Sequence, residues 1–323
     1  MDISLGLMGR MWHPRGVGRR HWILFALLSA FWGASYMFIK IGLDGGLPAP
    51  AIVFWRTALA AAILVPIALR LGALAGIRSR LAPVAVLASV QVAAPFLLIT
   101  FGERHITSSL AGILVATAPI FSFLLAFGID HEERASGLGL VGVAIGIAGV
   151  VLLLGVDTSG SAAALLGGLM VVLAGLAYAL GGYYLKRRFP GTQSVGLAAG
   201  TMTASALMTL PFALLDMPAQ APSAGAVAAA SALGLVGTGA AFVIYYDLIA
   251  GIGPAKASLV AYVAPGFAVV YGVVLLGEGF TIATALGLVL IVGGSWLAAE
   301  GRLPWLPARR ELAAGSVDVS TPG

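Results

Sequence analysis

Apolar residues run through this chain in ten long blocks, at approximately 22–41, 50–70, 81–101, 107–129, 136–154, 164–186, 193–215, 226–249, 255–276 and 281–299. Short connectors between them hold nearly all the charge. A helix rising about 1.5 Å per residue needs about 20 apolar residues to cross roughly 30 Å of hydrocarbon, and the blocks meet that length. The residue-by-residue alternation that a membrane barrel requires is absent. The pattern predicts an all-α membrane protein of ten transmembrane helices, with no soluble domain of useful size. The first block follows Arg15, Arg19 and Arg20, as in a signal peptide. It is too long for a signal h-region, and Trp32, Tyr36 and Lys40 make no small-residue cleavage site, so it reads as an uncleaved first span. From Glu311 to Gly323 the chain turns polar and aperiodic, as a disordered tail does.

The blocks also repeat. Residues 113–132, ILVATAPIFSFLLAFGIDHE, overlie 259–278, LVAYVAPGFAVVYGVVLLGE, at an offset of 146. Ala118 meets Ala264, Pro119 meets Pro265, Phe121 meets Phe267 and Glu132 meets Glu278. At the same offset FWGASYMFIK (31–40) falls on AYALGGYYLK (177–186), pairing Trp32 with Tyr178 and Lys40 with Lys186. Pro66 and Pro211, and Gly142 and Gly149 with Gly287 and Gly294, match one residue off. Two five-helix halves result: 22–154 and 164–300, flanked by cytoplasmic segments 1–21 and 301–323. An odd number of spans per half turns the second half upside down. Inverted repeats are a signature of secondary transporters whose midplane site opens alternately to either side; duplication for stability alone is the other reading.

Composition agrees with the pattern. Of 323 residues, 60% are hydrophobic and 10% charged, against about a quarter charged in soluble domains. The mean hydropathy is +1.02. With the N-terminus in the cytoplasm, all of the 18 Lys and Arg fall on the inner side except Lys40 and Arg104 outside and Arg56 within a span. That bias sets both termini inside and accounts for the net charge of +5 without nucleic acid. The absence of cysteine excludes disulfides, thiol catalysis and zinc–thiolate sites.

The phrases APIFSFLLAFGIDHEE and APGFAVVYGVVLLGEGFTIATALGLVLIVGGSWL resemble the paired modules of EamA-type proteins in the drug/metabolite transporter superfamily. The resemblance covers about residues 22–300. It is most specific in the ninth and tenth spans, with a mid-helix Pro, a terminal Gly-Glu and a Gly-rich last helix. The first half departs from it, with Asp130-His131-Glu132-Glu133 in place of Gly-Glu. The resemblance implies export or exchange of amino acids and small metabolites, with aromatic amino acid exporters as one branch. It also implies residence in a bacterial cytoplasmic (inner) membrane.

Halving each span places Trp32, Gln91, Thr117, Tyr178, Thr238 and, slightly inward, Tyr262 in a midplane band, with Tyr36 close to it. These are the candidate substrate-binding residues. Gln91 is the only amide away from a span end and must face the interior, bonding substrate, water or another helix. Trp32 and Tyr178 lie too deep for an interfacial belt. Pro119 and Pro265 each remove a helix hydrogen bond, which gives either a hinge and cavity wall or a static bend. Arg56, about two turns into its span, either snorkels outward or pairs with an anionic substrate group. Lys40, Lys186 and Lys256 fit a topology role, Glu132 and Glu278 helix-end contacts, and Tyr183, Tyr184, Tyr245 and Tyr246 interfacial anchors.

Other chemistry finds little support. GLGLVG at 137–142 satisfies G-x-G-x-x-G, but no strand precedes it, so close helix packing explains it. No G-x-x-x-x-G-K-[ST] occurs, and His13, His21, His105 and His131 are scattered, so neither a cofactor nor a metal is expected. Every Asp and Glu falls in a connector or near a span end, which disfavours proton antiport. Transport then runs on the substrate's own gradient or couples through a span-end acid such as Asp247. The expected function is alternating-access export of amino acids, including large or aromatic ones, by a non-enzymatic carrier whose partners are a small molecule and lipid. Exchange of sugar phosphates or nucleotide sugars is the runner-up. An intramembrane enzyme or a non-transporting scaffold are readings of other classes.

Overall fold

The computed structural model describes residues 18–129, 137–156, 161–218 and 220–300. Asp130 to Glu133, His13 and the segment Glu311–Gly323 lie outside the described residues. Among the described residues ten helices are long and apolar enough to span a membrane: α1 (Arg19–Asp44), α2 (Ala49–Arg70), α3 (Leu81–Gly102), α4 (Ser108–Ala126), α5 (Gly137–Val156), α6 (Ala162–Arg188), α7 (Ser194–Leu215), α8 (Ala224–Ile252), α9 (Lys256–Leu276) and α10 (Ile282–Ala299). No strand occurs among the described residues. Leu207, Val274 and Val289 are 65%, 71% and 67% exposed, an outer surface that suits hydrocarbon rather than water.

The main packing contacts repeat under exchange of each helix with the one five places on, while α10 also packs on α4 without a comparable contact of α5 on α9. α2 lies on α7, α5 on α10 and α4 on α9, each against its own counterpart. α1 packs against α9 and α8, and α6 correspondingly against α4 and α3. At the first pair a Cβ on Gly33 would meet Ala264 O at 2.8 Å. At the second, a Cβ on Gly175 would meet Thr117 Oγ1 at 2.7 Å beside Ala118, the repeat mate of Ala264. This pairing fits an inverted repeat with α1, α3, α4, α6, α8 and α9 around its axis.

Glycine sets the tightest contact. A Cβ on Gly142 would fall on the backbone of α10 at Gly294 O (2.7 Å) and Ala298 N, so α5 and α10 touch main chain to main chain. Within the G-x-G-x-x-G string, Gly142 thus serves close helix packing, whereas Gly137 faces nothing within 4 Å.

Three local irregularities interrupt the bundle. α3 and α8 each contain a π-turn, at Ser89–Ala93 and Leu235–Ala240, whose first residues are again 146 apart. A π-turn widens the helix and re-aims its side chains, and such turns gather at functional sites. α4 is broken into Ser108–Val115 and Ala118–Ile129. The expectation that Pro119 kinks a continuous helix is therefore corrected: Pro119 is the second residue of the second piece, in its first turn, where its missing N–H costs little. Ser295 Oγ of α10 donates to Ala116 O at the break, at 2.5 Å. Its mate Pro265 does lie inside an unbroken helix, Val260–Leu276.

Candidate functional site

Arg56 is 7% exposed, so its side chain does not snorkel outward. Its guanidinium carbon sits 3.6 Å from the centroid of the Phe96 ring of α3. Its Nε donates to Thr238 Oγ1 on the π-turn of α8, at 2.8 Å. The Thr238 hydroxyl in turn donates to Leu233 O five residues back, at 3.0 Å, a geometry that the π-turn creates. Tyr36 of α1 and Tyr178 of α6 lie close enough to act electrostatically on Arg56. Five helices thus converge on one cation.

That cation is under-satisfied. The Thr238 bond is its only hydrogen bond among the described residues, whose ion pairs are Arg20–Asp247 and Lys40–Asp44. Taking an arginine out of water costs several kcal/mol, and one hydroxyl and one ring return only part of it. The two terminal nitrogens remain free to form the planar fork that grips a carboxylate.

Aromatic side chains continue from this point. Phe96 and Tyr178 share a packed cluster with Phe242 and Tyr246 of α8. Trp32 of α1 lies edge-on to Phe242, centroids 6.5 Å apart, and 5.3 Å from Tyr245, which in turn is 6.2 Å from Tyr246. Tyr245 and Tyr246 thus join an interior cluster rather than serving only as interfacial anchors. Cation, hydroxyl and aromatic wall together can hold a small anion that carries an apolar group.

Of the residues read from sequence, Tyr36, Tyr178 and Thr238 come together around Arg56, and Trp32 joins through the aromatic wall. Gln91 lies on the α3 π-turn but faces Gly181 of α6, its Oε1 buried and without a partner among the described residues. Thr117 is 2% exposed and donates to Leu114 O at 2.7 Å, closing the α4 break. Tyr262 packs edge-on to Trp296 of α10 at 5.4 Å. These three belong to other contacts. Phe96 and Phe242 were not anticipated, because an apolar ring inside an apolar block carries no signal of its own.

A second polar region lies at the end of the bundle away from the described chain ends. A cavity of about 380 Å³ is lined there by Lys40, Arg104, His105, Thr107, Ser109 and Thr284, among others. Nearby, Glu278 accepts from the Ser108 and Ser109 amides at 2.7 and 2.9 Å and caps α4, the helix-end contact expected of it. Lys40 Nζ donates to Glu103 O at 3.1 Å. Glu103 itself is 0% exposed, and neither carboxylate oxygen has a hydrogen-bond partner among the described residues. Its place in a connector hid this: a buried carboxyl exists where none was expected. Asp247, by contrast, pairs with Arg20 at the surface, 2.8 Å away.

Comparison with known proteins gives this geometry a context. The chain is 30% identical over 306 residues to an uncharacterized inner membrane transporter, YedA, of Escherichia coli K12, covering 92% of this chain and 96% of that one. It is also 30% identical over 302 residues to a probable terminal-alkyne amino-acid exporter of Streptantibioticus cattleyicolor, covering 90% and 94%. A solved crystal structure, 20% identical, superposes with a TM-score of 0.63 over 87% of this chain and 96% of that one, which shows the fold. The model of one family matches twice, over residues 20–155 and 165–299. With ten spans, a repeated packing scheme and these matches, the chain belongs to the EamA-like transporter family as a multi-pass integral membrane protein.

Proposed function

We propose that this transporter exports small carboxylate-bearing metabolites from the cytoplasm across a bacterial inner membrane, amino acids with large apolar or aromatic side chains foremost. The observation that carries this reading is the buried guanidinium of Arg56, which has no ion pair among the described residues and lies beside an aromatic wall. The substrate carboxylate docks on the free nitrogens of Arg56, and its side chain rests against Phe96, Tyr178, Trp32 and Phe242. Tyr36 and Thr238 position the cation. Alternating access exposes this site to each side in turn, the π-turns and the α4 break supplying points where helices can bend.

The amino-acid exporter among the relatives supports the substrate class. A phosphate would want several cations, whereas Arg56 is the one Lys or Arg in the cluster, which favours a carboxylate over a sugar phosphate. Counterflow in proteoliposomes tests the reading: labelled phenylalanine, leucine and alanine are exchanged against the same unlabelled amino acid inside. Exchange above protein-free vesicles, with phenylalanine and leucine ahead of alanine, is expected. No exchange of any of the three sinks the assignment.

A further inference from the structure

Glu103 follows directly on α3 and is wholly buried, with both carboxylate oxygens unpartnered among the described residues. An ionised carboxylate in that position would lack every hydrogen bond that normally compensates burial, so the neutral acid is the form the site accommodates. The nearest ammonium does not supply the compensation: Lys40 Nζ bonds the main-chain carbonyl of Glu103 and leans toward Asp44 Oδ1 at 3.7 Å. The other groups acting on Glu103 are Arg56 from α2, Glu278 after α9, Asp44 and Tyr36 from α1. Of these, Arg56 and Lys40 favour its charge, and Glu278 and Asp44 oppose it. Burial dominates and raises its pKa well above the ordinary carboxylate value.

Its place in the fold matters as much as its burial. Arg104 and His105, the next two residues, line the cavity at the end of the bundle away from the chain ends, and so does Lys40. On the other side lie Arg56 and Tyr36 of the central cluster. Glu103 therefore stands between a water-accessible cavity and the substrate site.

We propose that Glu103 is a proton-binding site that couples the transport cycle to the pH on the cavity side. In the present conformation its carboxyl holds a proton. When this end of the bundle opens, water reaches the carboxyl, the O–H bond breaks and the proton passes to water in the cavity beside Lys40, Arg104 and His105. Closing again requires a proton from the same water. Low pH on that side therefore holds this end closed, and high pH favours its opening. The role of this switch in transport rests on the transporter reading above; the proton site itself does not.

Infrared titration of the protein in nanodiscs tests the site directly. A protonated-carboxyl C=O band is expected at neutral pH, absent from E103Q, whose amide mimics the neutral acid and preserves the fold. Should E103Q fail to fold, E103M removes the same carboxyl in an apolar form. No band assignable to Glu103 overturns the proposal. Opening is read from a single cysteine, since the natural chain has none. Ile106, 6% exposed, lines the cavity, so I106C labels with an impermeant maleimide only when this end opens. The ratio of labelling rates in I106C and I106C/E103Q should rise with pH through the range where the band disappears. A constant ratio overturns the coupling. Counterflow of labelled phenylalanine in the same preparation judges the transport reading separately: its absence sinks that reading and leaves band and labelling as they are.

Discussion

Arg56 of α2 and Thr238 of the α8 π-turn meet at 2.8 Å inside the bundle, a contact between the two stretches that the family model matches. The hydroxyl aims the guanidinium by accepting from Nε, and that leaves the two terminal nitrogens for a ligand. Thr238→Val keeps the shape and removes the acceptor. A buried charged donor left unmet costs about 1–3 kcal/mol or more, so the variant should melt at lower temperature in detergent and exchange substrate more slowly. A Thr238→Ser variant should recover most of both.

Trp32 bears on selectivity rather than on charge. Its ring completes the wall with Phe242 and Tyr245. Aromatic pairs contribute about 0.5–1.5 kcal/mol beyond the area they bury, so Trp32→Leu should slow phenylalanine exchange by up to roughly tenfold. Alanine exchange should change much less. Equal losses for the two amino acids would place Trp32 outside the substrate's reach.

Two glycines of one short motif should behave oppositely. Gly142 faces the α10 backbone, and Gly137, five residues earlier, faces nothing within 4 Å. Gly142→Ala forces α5 and α10 apart and should destabilise by about 1–3 kcal/mol, as overpacking does. Gly137→Ala should be neutral or slightly stabilising through helix propensity. Thermal unfolding of the two variants in one detergent compares them directly.

Most of the fold was legible because a membrane imposes a length and a polarity on every span. The ten blocks, the repeat and the glycine face all appear in residue order alone. The candidate site was legible in part where a residue is chemically unusual for its depth: Tyr36, Tyr178, Thr238 and Trp32, picked out for that reason, gather near Arg56. It failed where position in the block misleads. Thr117 lies at mid-depth yet spends its hydroxyl on Leu114 O, and Glu103 lies beyond a block yet is buried. Arg56 could not be placed from sequence, since a long side chain reaches either the surface or the core from the same Cα. The π-turn that settles its direction has no residue signature; only the shared offset of 146 marks the pair.

Glu103 also predicts a pH dependence of stability. Its pKa in the fold is raised well above the ordinary carboxylate value by burial. Below the unfolded value, near 4.3, both states hold the proton and the fold keeps its full stability. As pH rises above it the unfolded chain ionises first, and stability falls until the folded carboxyl loses its proton as well. Glu103→Gln has no such proton to lose. The melting temperature of the natural chain should therefore drop relative to E103Q as pH is raised from mildly acidic to alkaline. Parallel curves would show that Glu103 is not held neutral.

The carboxylate-binding role of Arg56 is tested most directly by changing one group on the substrate. Counterflow of labelled phenylalanine is competed with unlabelled phenylalanine or with phenylalaninamide, which differs in lacking the carboxylate. The natural chain should be inhibited by phenylalanine at least tenfold more strongly than by the amide, because charge-assisted hydrogen bonds are each worth about 1.5–3 kcal/mol. In Arg56→Gln, exchange should fall roughly 10²-fold and the preference should vanish. Equal inhibition by acid and amide in the natural chain, or undiminished exchange in Arg56→Gln, would contradict the assignment of Arg56 as the substrate's anchor.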